Sequence, residues 1–257
     1  MGKKLAGILF IRNGVLLDYC FEEAIKSLQA FCDIVIVVEA GSTDDTFEKI
    51  ESIQDEKTII LRCNKEMWEE KKGREKLSYF TNIGIDYAER NGYEYIFNLQ
   101  GDEVTHEDSF KYIKQAVNLS EEGYLISRIN LWGSSKKMLN VPQNRKPVST
   151  VICRLAKSNY RSYDDAESIN CPASLDFINK IEIFHMGFVR DKTKHIEKIK
   201  EIQGNIFQMD VDKRAVESNE FKAWDWGFTK DDVIPIEKEL PIFIKGWATK
   251  RDEVNEC

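Results

Sequence analysis

Two groups of oxygen-bearing side chains stand out because each one ends an apolar run. Tyr95-Ile-Phe-Asn-Leu99 is followed at once by Gln100-Gly-Asp-Glu103, and Asp33-Ile-Val-Ile-Val-Val38 by Glu39-Ala-Gly-Ser-Thr-Asp-Asp45. A carboxylate delivered at the tip of a buried strand can hold a hard divalent cation, Mn2+ or Mg2+, whose remaining coordination positions suit phosphate oxygens. Asp102 and Glu103 are the candidates for that work. The same pair could instead open a turn and cap the helix that follows from Glu107, a position where carboxylates are common. Glu39 leaves its strand where a nucleobase could lie, and a carboxylate there can accept an imide N–H. Asp44 and Asp45 read more simply as charges at the start of a helix, favourable there by ~0.3–1 kcal/mol.

The elements that must position these groups alternate through the first hundred residues. Leu5–Ile11, Asp33–Val38, Thr58–Cys63 and Tyr95–Leu99 are short apolar runs of the kind expected of strands covered on both faces. Helical spacing fills 18–31, 47–53 and 77–90, and Asn91-Gly92 closes the last of these as a C-cap. Strand–helix repeats of this length predict an α/β fold, a Rossmann-like and mostly parallel sheet flanked by helices, with ligands beyond the carboxyl ends of the strands. Arg12-Asn13, Glu39 to Asp45 and Gln100 to Glu103 all fall at such ends. The second half is less regular: strands are expected over 123–132, 150–155 and 180–184. A loop or a mobile helical edge is expected over 64–76, polar loops over 133–149 and 160–169, the last running into a short helix, and a charged amphipathic helix over 194–207.

Composition bounds the function. A chain of 257 residues with 42% hydrophobic and 11% aromatic residues can bury one large core, and a net charge of −7 argues against nucleic acid as a partner. An acidic protein still binds a nucleoside diphosphate if a cation bridges the two. The start, Met1-Gly-Lys-Lys and then Leu5–Ile11, is too short for a signal peptide and is interrupted by Arg12-Asn13. No run approaches the ~20 apolar residues of a membrane span. The six cysteines have no C-x-x-C spacing and read as reduced thiols of a cytoplasmic protein.

In this order the motifs resemble those of glycosyltransferase family 2-like enzymes of the GT-A fold. The residues that carry the likeness are Phe10-Ile-Arg-Asn13, Glu23-Ala-Ile-Lys-Ser-Leu28, Gly41-Ser-Thr-Asp-Asp-Thr46, Thr81-Asn82 and Leu99-Gln-Gly-Asp-Glu-Val104. A bacterial and phage subgroup with a Gln-x-Asp-Glu metal motif followed by His-Glu is most similar, and here His106-Glu107 follow. Tyr160-Arg-Ser-Tyr-Asp-Asp-Ala-Glu-Ser168 resembles that subgroup's acceptor-side loop, and Ile183-Phe-His-Met-Gly-Phe-Val-Arg190 its His-Tyr-Gly-Trp-Val-Arg segment.

The resemblance implies a GT-A domain over 1–205, divided into a nucleotide-binding half (1–105) and an acceptor and metal half (106–205), with a C-terminal helical extension over 206–257. It implies transfer of a sugar, with inversion, from a nucleoside-diphosphate donor of the UDP type to a saccharide or other hydroxyl acceptor, assisted by Mn2+ or Mg2+. Asp102 would bind the metal, with Glu103 sharing the role and His185 completing the shell. Gln100 stands where the motif usually has its first Asp, leaving one fewer anion. Arg12, Glu39 and Arg74 would contact the nucleotide, and Arg190, Lys192 and Lys194 would offset the charge of the leaving diphosphate. Asp165 first, then Asp164, would be the base that deprotonates the acceptor, with Glu167 in the same loop. Trp224 and Trp226 offer indole faces to an acceptor sugar or pack the tail. Two other readings compete: a sugar nucleotidyltransferase, weakened by the lack of a Gly-rich loop with Lys after the first strand, and a non-catalytic nucleotide- or sugar-binding module.

Overall fold

The computed structural model describes residues 2–141, 150–206 and 229–255. The first four strands are β1 (Leu5–Ile11), β2 (Ile34–Ala40), β3 (Thr58–Cys63) and β4 (Tyr95–Leu99), all paired in parallel in the order β3-β2-β1-β4. Three strands are thus laid down outward from β1, and the fourth returns to its other side. The sheet's switch point lies between β1 and β4, where an open α/β sheet gapes at its carboxyl edge. Arg12-Asn13 and Gln100-Gly101-Asp102 leave the sheet there.

Period-two alternation explains why both faces are covered. Leu9, Ile11, Val35, Val37, Phe97 and Leu99 share one core with Ala24, Ile25 and Leu28 of α1 (Phe21–Gln29). Ala6, Ile8, Ile36 and Ile96 face the other way, onto Ile85 and Ala88 of α4 (Glu75–Arg90). Each such fully buried side chain is worth about 1.5–3 kcal/mol. Between these come α2 (Thr46–Ser52) and α3 (Lys65–Glu70), the latter taking the helical alternative left open for 64–76. Asn64 caps α3 through Met67 N–H at 3.0 Å, and Trp68 is its buried anchor.

The second half extends the sheet with a different grain. After the short β5 (Glu103–Thr105) and α5 (Phe110–Leu119) come β6 (Gly123–Trp132), β7 (Ser134–Leu139), β8 (Val151–Lys157) and β9 (Glu182–Phe188). β8 pairs antiparallel with β4 and with β6, while β9 runs parallel to β6 and antiparallel to β5. The whole is a mixed α/β sheet flanked by helices, with a parallel part formed by β1 to β4. Ser134–Leu139, expected to be loop, is a strand paired with β6, and its polar composition hides it. Residues 160–169 form turns with no helix. α6 (Lys192–Ile199) begins two residues earlier than expected and continues as a wider helical stretch over Lys200–Ile206. At the end of the chain, β10 (Val233–Pro235) pairs with β7, and α7 (Lys245–Asn255) fixes itself to β7 through Asp252, which accepts Ser135 N–H at 2.9 Å. Trp224 and Trp226 lie outside the described residues. No described helix is long and apolar enough to cross a membrane. Five cysteines are free, with Cys153 and Cys171 Sγ atoms 3.4 Å apart.

Candidate functional site

A cavity of about 240 Å3 opens at the carboxyl ends of β1 and β4. Its wall draws Arg12 and Asn13 from β1, Gln100, Gly101 and Asp102 from β4, His185 and Gly187 from β9, Asp165 and Glu167 from the 160–169 loop, and Lys198 from α6. Five segments far apart in sequence therefore meet where the sheet topology predicts a ligand.

Asp102 is at the centre. Its side chain is buried, and its Oδ2 accepts a hydrogen bond from Lys198 Nζ at 2.8 Å. His185 Nε2 is 3.6 Å from the same oxygen and Arg190 Nη2 3.7 Å. Burial by itself would raise the Asp102 pKa, but Lys198, His185 and Arg190 outweigh it and hold the carboxyl well below the usual range, so it is ionised. His185 goes the other way: burial lowers its pKa despite Asp102, leaving a neutral imidazole. Its Nδ1 lies 2.8 Å from Asn130 Oδ1, a hydrogen bond that fixes the orientation of the ring. Gly187 makes this closeness possible. A Cβ there would press on the imidazole and come within 3.2 Å of Asp102 Oδ2. Lys198 is buried deeply enough, beside Arg190, for its pKa to fall to about 8.

Glu103, expected to share the metal role with Asp102, is turned away from the cavity. It is fully buried and accepts from Arg154 Nη2 at 2.9 Å and Arg128 Nη1 at 3.3 Å. The same two guanidinium groups reach the 160–169 loop: Arg128 Nη2 bonds Glu167 Oε1 at 2.8 Å and Arg154 Nη1 bonds the Ala166 carbonyl at 2.6 Å. Asp164 and Ala166 both have positive φ (51° and 60°), a strained geometry held by these bonds. The outcome is that Asp165 faces the cavity while Asp164 faces solvent and pairs with Arg74 at 3.1 Å. Burial, with Glu167 and Asp164 nearby, raises the Asp165 pKa.

The remaining expected nucleotide contacts divide. Arg12 lines the cavity, donates to the Ala40 carbonyl at 2.9 Å and lies 5.0 Å from the centre of the Trp68 ring. Gln100 lines it too. Glu39 does not: it is buried with its Oε1 accepting Ser42 N–H at 2.6 Å, which ties down the turn after β2. Arg74 does not line it either. Asp44 works as a loop clamp, accepting Leu16 N–H at 2.6 Å and Thr46 N–H at 3.1 Å. Of the cations expected against a diphosphate, Arg190 is at the site, Lys194 pairs with Glu197 at 3.0 Å, and the Lys192 side chain lies outside the described residues.

Sequence reasoning missed Lys198, Asn130, Arg128 and Trp68. Lys198 sits in Lys194-His-Ile-Glu-Lys-Ile-Lys200, whose charges resemble any solvated helix face. Arg128, in the apolar run of β6, was the one readable signal, since a guanidinium inside a buried strand needs a buried anion.

No protein-family model matches the chain, and no curated protein matches it in sequence. Solved structures resemble it in fold. S. aureus TarS 1–349 in complex with UDP aligns over 89% of this chain and 73% of that chain, at 14% identity and a TM-score of 0.42. Glucosyl-3-phosphoglycerate synthase from Mycobacterium tuberculosis, in complex with Mn2+, UDP and glucosyl-3-phosphoglycerate, aligns over 51% of this chain at 16% identity and a TM-score of 0.37. The match spans 46% of that chain, less than half its length.

Proposed function

We propose that this chain is a family 2-like glycosyltransferase that moves a sugar from a nucleoside-diphosphate donor to a hydroxyl acceptor with inversion. The observation that carries the reading is that a single cavity at the switch point contains both a cation-rich seat around Asp102 and, from a separate loop, a carboxylate of raised pKa, Asp165. The first suits a diphosphate and the second a hydroxyl.

In the reaction, the acceptor oxygen bonds to the anomeric carbon as the bond from that carbon to the β-phosphate oxygen breaks, its electron pair leaving on the diphosphate. Asp165 takes the acceptor's proton. The positive charge at the diphosphate seat meets the negative charge that develops on the leaving group, where burial makes such interactions strong. Arg12 and Trp68 flank the side of the cavity toward β2 and are the candidates to hold the nucleoside.

The Mn2+ or Mg2+ expected from the resemblance would have Asp102 Oδ2 and His185 Nε2 as its protein ligands. The residues present do not fit a resident divalent ion: Lys198 already bonds the carboxylate, Gln100 adds no charge, and Glu103 is committed to two arginines. Among the described residues no group of three or more His, Cys, Asp or Glu is arranged to hold a metal.

UDP-sugars are the first donors to try, since both similar structures hold UDP. Release of UDP from a panel of UDP-sugars, with and without simple saccharide acceptors, tests the assignment. Release that depends on the chain and is lost in Asp165→Asn is expected. Donor binding with neither hydrolysis nor transfer would instead favour a non-catalytic binding module.

A further inference from the structure

Resting on the glycosyl-transfer reading, we propose that Lys198 takes the place of the divalent cation, so that the donor diphosphate binds this chain without metal. Asp102 Oδ2 and His185 Nε2 stand 3.6 Å apart at the cavity wall, and the buried carboxylate needs a cation close by. The chain supplies it. Lys198 Nζ donates to Asp102 Oδ2 at 2.8 Å and to the Gly187 carbonyl at 3.1 Å, and it lines the cavity. An ammonium is a compact point charge with three donors, so two bonds to the protein leave one for a phosphate oxygen.

Charge favours the same conclusion. Within 4 Å of Asp102 Oδ2 stand Lys198 and Arg190, two positive charges against one carboxylate. A seat with this balance attracts a diphosphate and repels a bare divalent ion. The lysine is also held in place: Asp191 caps its helix by accepting Thr193 N–H at 2.8 Å and Lys194 N–H at 3.3 Å, and the Tyr19 ring lies 5.1 Å from both Lys198 and Arg190. During transfer no proton need move at this point. The Lys198 ammonium meets the charge that arrives on the β-phosphate as the glycosidic electron pair departs.

Calorimetry on the full chain separates the possibilities, with UDP, GDP and inorganic pyrophosphate as probes in EDTA and in Mn2+. Wild type is expected to bind at least one probe in EDTA with a Kd within threefold of that in Mn2+, and to bind Mn2+ alone too weakly to measure. K198Q should lose at least tenfold in EDTA. Because the seat then has no cation of its own, K198Q should regain affinity when Mn2+ is added, which a merely structural lysine would not produce. Thermal unfolding of K198Q shows that the variant is folded, and K198R, which keeps the charge, should retain most of the affinity. A tenfold or greater loss of wild-type affinity in EDTA overturns the proposal but leaves glycosyl transfer standing, as does unchanged affinity of folded K198Q. No heat with any of the three probes in either buffer overturns both.

Discussion

Three carboxylates share the 160–169 loop, and their environments assign them different work. Asp164 is exposed and paired with Arg74, a surface contact worth ~0–1 kcal/mol. Arg74→Ala should therefore leave UDP affinity within about twofold and cost less than about 1 kcal/mol on urea unfolding; a larger loss of affinity would return Arg74 to the nucleotide site. Glu167 is bound to Arg128, and Asp165 is left facing the cavity with a raised pKa. Asp165→Asn should lower kcat by about 10²- to 10⁴-fold while leaving UDP affinity intact. Its stability effect has a definite sign. The native state holds the Asp165 proton more tightly than the unfolded chain, so stability falls as pH rises from the ordinary aspartate value through the raised one, and stays reduced above it. The Asn variant escapes that cost, and its Tm at pH 7 should equal or exceed wild type. In the wild type, kcat/KM should fall on the acid side at a pH above an ordinary aspartate's. A variant that kept full transfer would remove Asp165 from the mechanism. Asp102 drew notice because it ends an apolar strand, and Asp165 because its loop resembles the family's acceptor-side loop; both line the cavity. Lys198 drew no notice, since only the fold turns that face of α6 inward.

Elements are latched together here by charges buried between them. Glu103 on β5 holds Arg128 of β6 and Arg154 of β8, and those arginines hold the loop that carries Asp165. All three side chains are almost fully buried, so removing one charge leaves others uncompensated, at a cost of about 3–5 kcal/mol. Glu103→Gln should lose that much on urea unfolding. It should also lower kcat with little change in UDP affinity, because the loop loses its latch while the Asp102 seat stays. A stability loss below ~1 kcal/mol would mean that Glu103 is not the hub. The sequence could not reveal this role: the motif sets Glu103 beside Asp102, but Asp102 lies in the turn before β5 and lines the cavity while Glu103 opens the strand and is buried away from it, and both arginines lie in segments remote in sequence. The parallel strands were readable from their apolar runs alone. β7 was not, because Ser134-Ser-Lys-Lys137 has a composition that also suits a loop.

At the scale of the whole molecule, the parallel and antiparallel parts of the sheet meet along the β4–β8 seam, and nothing there resembles a domain boundary. Tyr95–Phe97 pair with Leu155–Lys157 across it, and the Glu103–Arg154 pair lies buried beside it. The far edge is fastened as well, since Asp252 of α7 bonds both the backbone N–H and the hydroxyl of Ser135 on β7, at 2.9 and 2.5 Å. A continuous sheet with charged latches across its middle should unfold as one unit. Thermal melts followed by far-UV and near-UV circular dichroism are therefore expected to coincide. The cavity opens at the carboxyl ends of β1 and β4 and is bordered on its other side by β9, α6 and the 160–169 loop, so it draws on both parts of the sheet. Bound UDP must then stabilise the whole. At a hundred times its Kd it should add about 2.7 kcal/mol, which for a chain of this size raises Tm by roughly 5–10 °C, at about 2–4 °C per kcal/mol. The shift should appear equally in both signals and survive EDTA. Two separate transitions, with UDP moving only the first, would show that the parallel half binds the nucleotide alone and that the seam transmits nothing.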